Sequence, residues 1–174
     1  MSILPIFTYP NQLLRTKCNP VSSINAKTLK LIDDIIETMY SFPGCIGISA
    51  PQVGKLFRII TVDVSNHKNA PINNHGLITL INPVIIDKKG KTISREGCLS
   101  IPDYTGNVER VNRIKVKGKD INERRSEFYS DGIEAIAIQH EIDHLEGILF
   151  IDRISSLKTD LSGRKSCLKP RGNI

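Results

Sequence analysis

The sequence has no apolar run long enough to span a bilayer, and its start after Met1 does not read as a signal peptide. These absences exclude a membrane-embedded class and predict a soluble chain in the cytoplasm. An organellar matrix or stroma is the alternative if the chain is a processed mature form. Cysteine is scarce, and Cys18, Cys45, Cys98 and Cys167 show no close pairing pattern. A disulfide framework is therefore not expected, and at least one thiol is free to act as a ligand. No zinc knuckle, helix-turn-helix or aromatic-basic interleaving accompanies the net charge of +6, which argues against sequence-specific nucleic-acid binding. There is also no internal repeat, and 174 residues suit one domain with a proper core.

Among what is present, Gln139-His140-Glu141-Ile142-Asp143-His144-Leu145-Glu146-Gly147 dominates. Histidines four apart on a helix stand one turn above each other, so both imidazoles can reach one ion. A glutamate directly after the first is placed to work on water at that ion. Asp131 with Glu134 reads as a capping box and Gly147 as the C-terminal stop. Between them Ile133, Ile136, Ile138, Ile142 and Leu145 are apolar on all sides, which predicts a helix buried at the centre of the fold.

The rest of the chain reads as its surroundings. Pro5, Pro10 and Pro20 keep the opening segment extended. From Asn25 to about Tyr40, Leu29, Ile32, Ile36 and Met39 recur at helical spacing, with Lys30, Asp33, Asp34 and Glu37 on the surface. Strands are predicted at 57–64, 77–86 (broken at Asn82-Pro83), 113–117 and 121–129, with Lys88-Lys89-Gly90-Lys91 as a hairpin turn. His67 and His75 lie in a polar loop without a ligand-like frame. After Ser155 periodicity is lost, and Gly163, Pro170 and Gly172 predict a loose basic tail over 156–174. The fold class expected is α+β: antiparallel or mixed sheets wrapped around a central buried metal-binding helix, with the N-terminal helix outside.

Two histidines do not complete a catalytic tetrahedral site, which takes three protein ligands and one open position. Cys98, Cys45, Asp143, Glu146 and the loop histidines are the candidates for the third. Asp143 and Glu146 are poorly aimed from their helix positions. Cys98, presented by backbone between Gly97 and Leu99 ahead of Pro102, is better placed.

Three stretches together resemble the motifs of the peptide deformylase family: Cys45-Ile46-Gly47-Ile48-Ser49-Ala50-Pro51-Gln52, Glu96-Gly97-Cys98-Leu99-Ser100 and Gln139-His140-Glu141-Ile142-Asp143-His144. The similarity runs from about Ile3 to Ile154, so residues 1–155 are taken as the catalytic domain. The resemblance implies that Cys98, His140 and His144 bind one divalent metal, iron(II) natively, with zinc or nickel able to replace it; mixed sulfur and nitrogen donors also suit cobalt. It implies Glu141 as general acid/base, and Gln52 with the Leu99 backbone N–H as the oxyanion donors. The substrate implied is an N-formylmethionyl nascent peptide, and formate is released.

Ile133, Ile136 and Ala137 share the His140 face of the helix and would form an apolar wall for the methionine side chain. Ile46, Gly47 and Ile48 would pair with the substrate main chain, strand fashion, and Gly97 is counted among the substrate-binding residues. One departure is Cys45, where the family normally has glycine. It would narrow the cleft or bring a second thiol near the metal. The competing readings are a zinc peptidase with the same histidine frame, and a non-catalytic metal-stabilised protein docked on ribosomes through its basic tail. The upstream cysteine ligand speaks against the first. Glu141 and Gln52, neither needed merely to hold metal, speak against the second.

Overall fold

A computed structural model describes residues 2–164. The strands are β1 (Gly47–Ser49), β2 (Ile59–Val62), β3 (Ile78–Lys89), β4 (Thr92–Cys98), β5 (Ile101–Arg110), β6 (Arg113–Lys119), β7 (Arg125–Asp131) and β8 (Leu161–Gly163). The helices are α1 (Ala26–Ser41), α2 (Gly132–Leu145) and the short α3 (Leu157–Asp160). One sheet runs β1-β2-β3-β6-β7 and a second β4-β5-β8, every neighbouring pair antiparallel. The architecture is α+β, as expected.

Helix α2 is the common wall. Ala135, Ile138 and Leu145 pack with Ile60, Val62, Leu80, Ile114 and Val116 of the larger sheet. Most polar residues that share its buried surface are hydrogen-bonded, Glu141 Oε2 and His144 Nδ1 being the exceptions among the described residues. Gln139 bonds both backbone groups of Val111 and the Ala135 carbonyl. Gly147 ends the helix as expected. At φ 73° its N–H reaches the His144 carbonyl while Ile148 N–H reaches Asp143, a Schellman closure. The start differs from expectation. Asp131 is the N-cap residue but makes no side-chain cap bond. Glu134 instead accepts from Ser130 Oγ at 2.7 Å and His75 N at 2.7 Å, and sits 2.8 Å from His75 Nδ1. A partner 59 residues away outbid the local one.

Helix α1 starts at Asn25, whose side chain accepts from Lys27 N and Thr28 N. Its buried stripe is Ile32, Ile35 and Met39, set against Ile48, Ile59 and Ile81. Leu29 stays exposed. Asp34, expected on the surface, is buried because the N-terminal segment crosses it and Ser2 N donates to it at 2.8 Å.

Three further expectations change. β3 runs through Asn82-Pro83, the interruption being absorbed as a register shift against β6. The turn at Gly90 is real, but β4 leaves for the second sheet and pairs with β5, so it closes no hairpin. The chain also stays ordered past Ser155: α3 forms and β8 pairs with β5. Leu161 joins the cluster around Phe150, which supplies the apolar contact that the sequence pattern did not advertise. The remainder of the predicted tail lies outside the described residues.

Candidate active site

The second sheet delivers the thiol and the helix delivers the imidazoles. Cys98 ends β4 at a register shift, with Leu99 and Ser100 turning the chain into β5. His140 and His144 face it from successive turns of α2, and their rings are 5.0 Å apart. One ligand atom from each of Cys98, His140 and His144 lies within 4.8 Å of the others, and Cys98 Sγ is 3.2 Å from His144 Nε2. His144 is buried, and the side chain of His140 is 11% exposed. Three of the other candidates for the third position are engaged elsewhere, while His67 lines the cavity without joining the cluster. Asp143 pairs with Arg110 and Arg153, and Glu146 with Arg58 and Lys17. His75 is committed to Glu134.

Cys45 lies in the wall of the same cavity, yet its thiol donates to the Gly47 carbonyl at 3.1 Å. Burial pushes that thiol up to about 12, and its bond to the carbonyl leaves it outside the Cys98–His140–His144 cluster.

Glu96 supports the cluster. It lies two residues before Cys98 on β4, hence on the same strand face. Its carboxylate is 2.8 Å from His140 Nδ1 and accepts from Arg110 Nε and Nη2 at 2.7 and 2.9 Å. Burial alone would raise Glu96, but the bonds from Arg110 and His140 outweigh it and hold the carboxyl near 2. Burial would likewise lower His140, yet Cys98 and Glu96 raise it well above its ordinary value. His144 goes the other way, lowered by burial and then by the charge of His140.

Glu141 is buried, and its Oε2 finds no hydrogen-bond partner among the described residues. Burial pushes it up to about 7, against the opposing charge of His140. Gly47 makes the room for it: a Cβ there would come 2.8 Å from Glu141 Oε1. Gln52 is oriented by Ser49, whose N and Oγ donate to Oε1 at 2.9 and 3.0 Å. Its Nε2 then points at Cys98 Sγ and Ser100 Oγ, 3.3 Å from each.

These groups open on a cavity of about 360 Å³, lined also by Ile46, Gly97, Leu99, Ile133, Ile136 and Ala137. Ile48 is different. Its side chain is fully buried in the core beside α1, so only its backbone can face the cleft. β1 is the edge of its sheet and among the described residues pairs only with β2.

A polypeptide deformylase family model matches residues 3–160. The chain belongs to the polypeptide deformylase family. Its members are hydrolases that remove the N-formyl group from nascent peptides, and this chain is such an enzyme. It is 49% identical over 165 residues to a peptide deformylase of Thermodesulfovibrio yellowstonii, covering 95% of this chain and 97% of that one. It is 45% identical to one from Syntrophobacter fumaroxidans, covering 95% and 94%. The crystal structure of the Thermotoga maritima peptide deformylase superposes with a TM-score of 0.81 at 35% identity, covering 90% of this chain and all of that one. A Met-Ala-Ser-bound deformylase from Acinetobacter baumannii gives 0.81 at 34% identity, covering 88% and 100%.

In the sequence Glu96 is marked only by its two-residue offset from Cys98. Arg110 carries no such mark, because only the fold brings it to Glu96.

Proposed function

We propose that Cys98, His140 and His144 hold one divalent ion and that Glu141 is the general acid/base of deformylation. The ligand set fits such an ion. Three donors converge, Glu96 orients one imidazole as carboxylates commonly do for ligating histidines, and a fourth side remains open towards the cavity. Mixed sulfur and nitrogen donors suit iron(II), zinc, nickel and cobalt; the family resemblance favours iron(II). When bound, such an ion polarises a carbonyl and lowers the pKa of a coordinated water to about 7.

Glu141 accepts the proton of the attacking water and delivers one to the departing amine as the formyl C–N bond breaks. Its unpaired Oε2, buried beside the thiol and imidazoles, carries this reading. Gln52 Nε2 and the Leu99 N–H donate to the oxygen that gains negative charge. The products are formate and a free amino terminus.

The formylmethionyl side chain lies along Ile133, Ile136 and Ala137, and the peptide main chain adds to the free edge of β1 at Ile46–Ile48, with Gly97 opposite. The Met-Ala-Ser complex of the Acinetobacter baumannii relative supports a peptide in this cleft. The enzyme works in the cytoplasm, and its basic C-terminal residues assist association with ribosomes; among the described residues no helix is long and apolar enough to cross a membrane.

The test is formate release from a formyl-Met peptide by protein prepared anaerobically with iron(II), beside Glu141→Ala. Rapid release by the parent, lost in the variant while metal stays bound, is the expected result. Release that survives in Glu141→Ala would remove Glu141 from its role.

A further inference from the structure

The cleft contains a cation for which the chemistry above has no use. Strand β8 is paired to β5 at Tyr104↔Gly163, Thr105↔Ser162 and Gly106↔Leu161, and Arg164 N then donates to the Asp103 carbonyl at 2.7 Å. This pairing fixes where the Arg164 side chain leaves the backbone. Its guanidinium lies over Gly97, so close that a Cβ on Gly97 would collide with Nη2. The missing side chain at 97 thus makes room for a charge brought from a strand more than sixty residues later.

Arg164 lines the same cavity as Gln52, His140 and Glu141. Its Nη1 is buried and, among the described residues, has no hydrogen-bond partner. An arginine offers five donors and no acceptor, and a buried unmet donor costs stability. Arg95, donating to Thr105 Oγ1 at 2.9 Å, adds a second guanidinium to the same wall. The nearby Glu96 cannot neutralise them, since it is committed to Arg110 and His140.

We infer that Arg164 is a substrate-binding residue that donates to an acidic side chain in the peptide just after the formylmethionine. A carboxylate matches the guanidinium fork with two parallel bonds, and the field of Arg95 favours the same sign. Lysine at that point of the substrate meets two like charges. The inference rests on the deformylase reading of the cleft, and it gives this enzyme a sequence preference beyond the first residue.

The test uses the full metal-loaded chain and formyl-Met peptides with Asp, Ala or Lys at the second or third residue. For one of these positions kcat/KM for Asp exceeds that for Lys by about tenfold, mostly through KM. In Arg164→Gln the ratio falls to within about twofold while Arg164→Lys keeps part of it, as a charge-assisted bond predicts. Calorimetric titration with unformylated Met-Asp-Ala and Met-Lys-Ala, and with their third-residue counterparts, follows the same order. An unchanged ratio in Arg164→Gln, no discrimination by the parent, or an equal loss of affinity for Asp, Ala and Lys peptides overturns the assignment. If the parent releases no formate from any peptide, the deformylase reading fails, and the calorimetric order still decides the role of Arg164.

Discussion

At His140 one ring nitrogen is committed to Glu96, which leaves Nε2 for the site. Glu96→Gln keeps the shape but loses the charge that fixes this tautomer and ties down Arg110. We expect metal affinity to fall about 10- to 100-fold, read by chelator competition with the cobalt(II)-loaded protein. Gly47 is a second point of control, because any side chain there meets Glu141. Gly47→Ala should lower kcat by about a hundredfold or more through displacement of the proposed acid/base Glu141, with metal content unchanged. A fall in metal content instead would mean that the backbone, and not Glu141, had moved. For Cys45, held as a protonated thiol on the Gly47 carbonyl, Cys45→Gly should leave metal stoichiometry unchanged.

Helix α2 works because its two ends are anchored by different means. Its C-terminus depends on Gly147, whose φ of 73° suits glycine and whose Cβ position lies 2.6 Å from the Arg15 carbonyl. Gly147→Ala therefore combines left-handed strain with a backbone collision, at a cost of about 2 kcal/mol. In thermal unfolding that corresponds to a fall of roughly 4–8 °C for a domain of this size. The N-terminus shows why local patterns mislead. Asp131 and Glu134 have capping-box spacing, but Glu134 serves Ser130 and His75. Asp34 of α1 repeats the lesson, its place in a charged stripe overridden by Ser2 arriving from the chain start.

For the molecule as a whole, the Glu96–Arg110–Asp143–Arg153 network joins the second sheet, α2 and the segment after it. Glu96 is held near 2 in the folded state, against an ordinary 4.5. A depressed carboxyl contributes stability that is complete above its unfolded value and is lost as pH falls through its folded one. Stability should thus decline as pH drops from about 4.5 towards 2, and Glu96→Gln should flatten that slope by up to one proton in acid titration followed by circular dichroism. Metal removal acts in the same direction, since an ion bound only by the folded state stabilises it. Chelation should lower the melting temperature of the parent more than that of Cys98→Ser, in which the proposed ligand set is already broken.

The sequence alone determined the central helix, its glycine stop, the paired histidines with Glu141, and the family. Each is local: the reach between residues four apart on a helix, or between neighbours in a motif, is set by backbone geometry. It also made Cys98 the best third donor, because helix geometry aimed Asp143 and Glu146 away. The tertiary structure decided which charges are satisfied and by whom. Glu96 finds Arg110, Glu134 finds His75, β4 abandons β3 for β5, and β8 carries Arg164 over Gly97. Those pairings join residues far apart in sequence, where no periodicity links the partners and only packing brings them within reach.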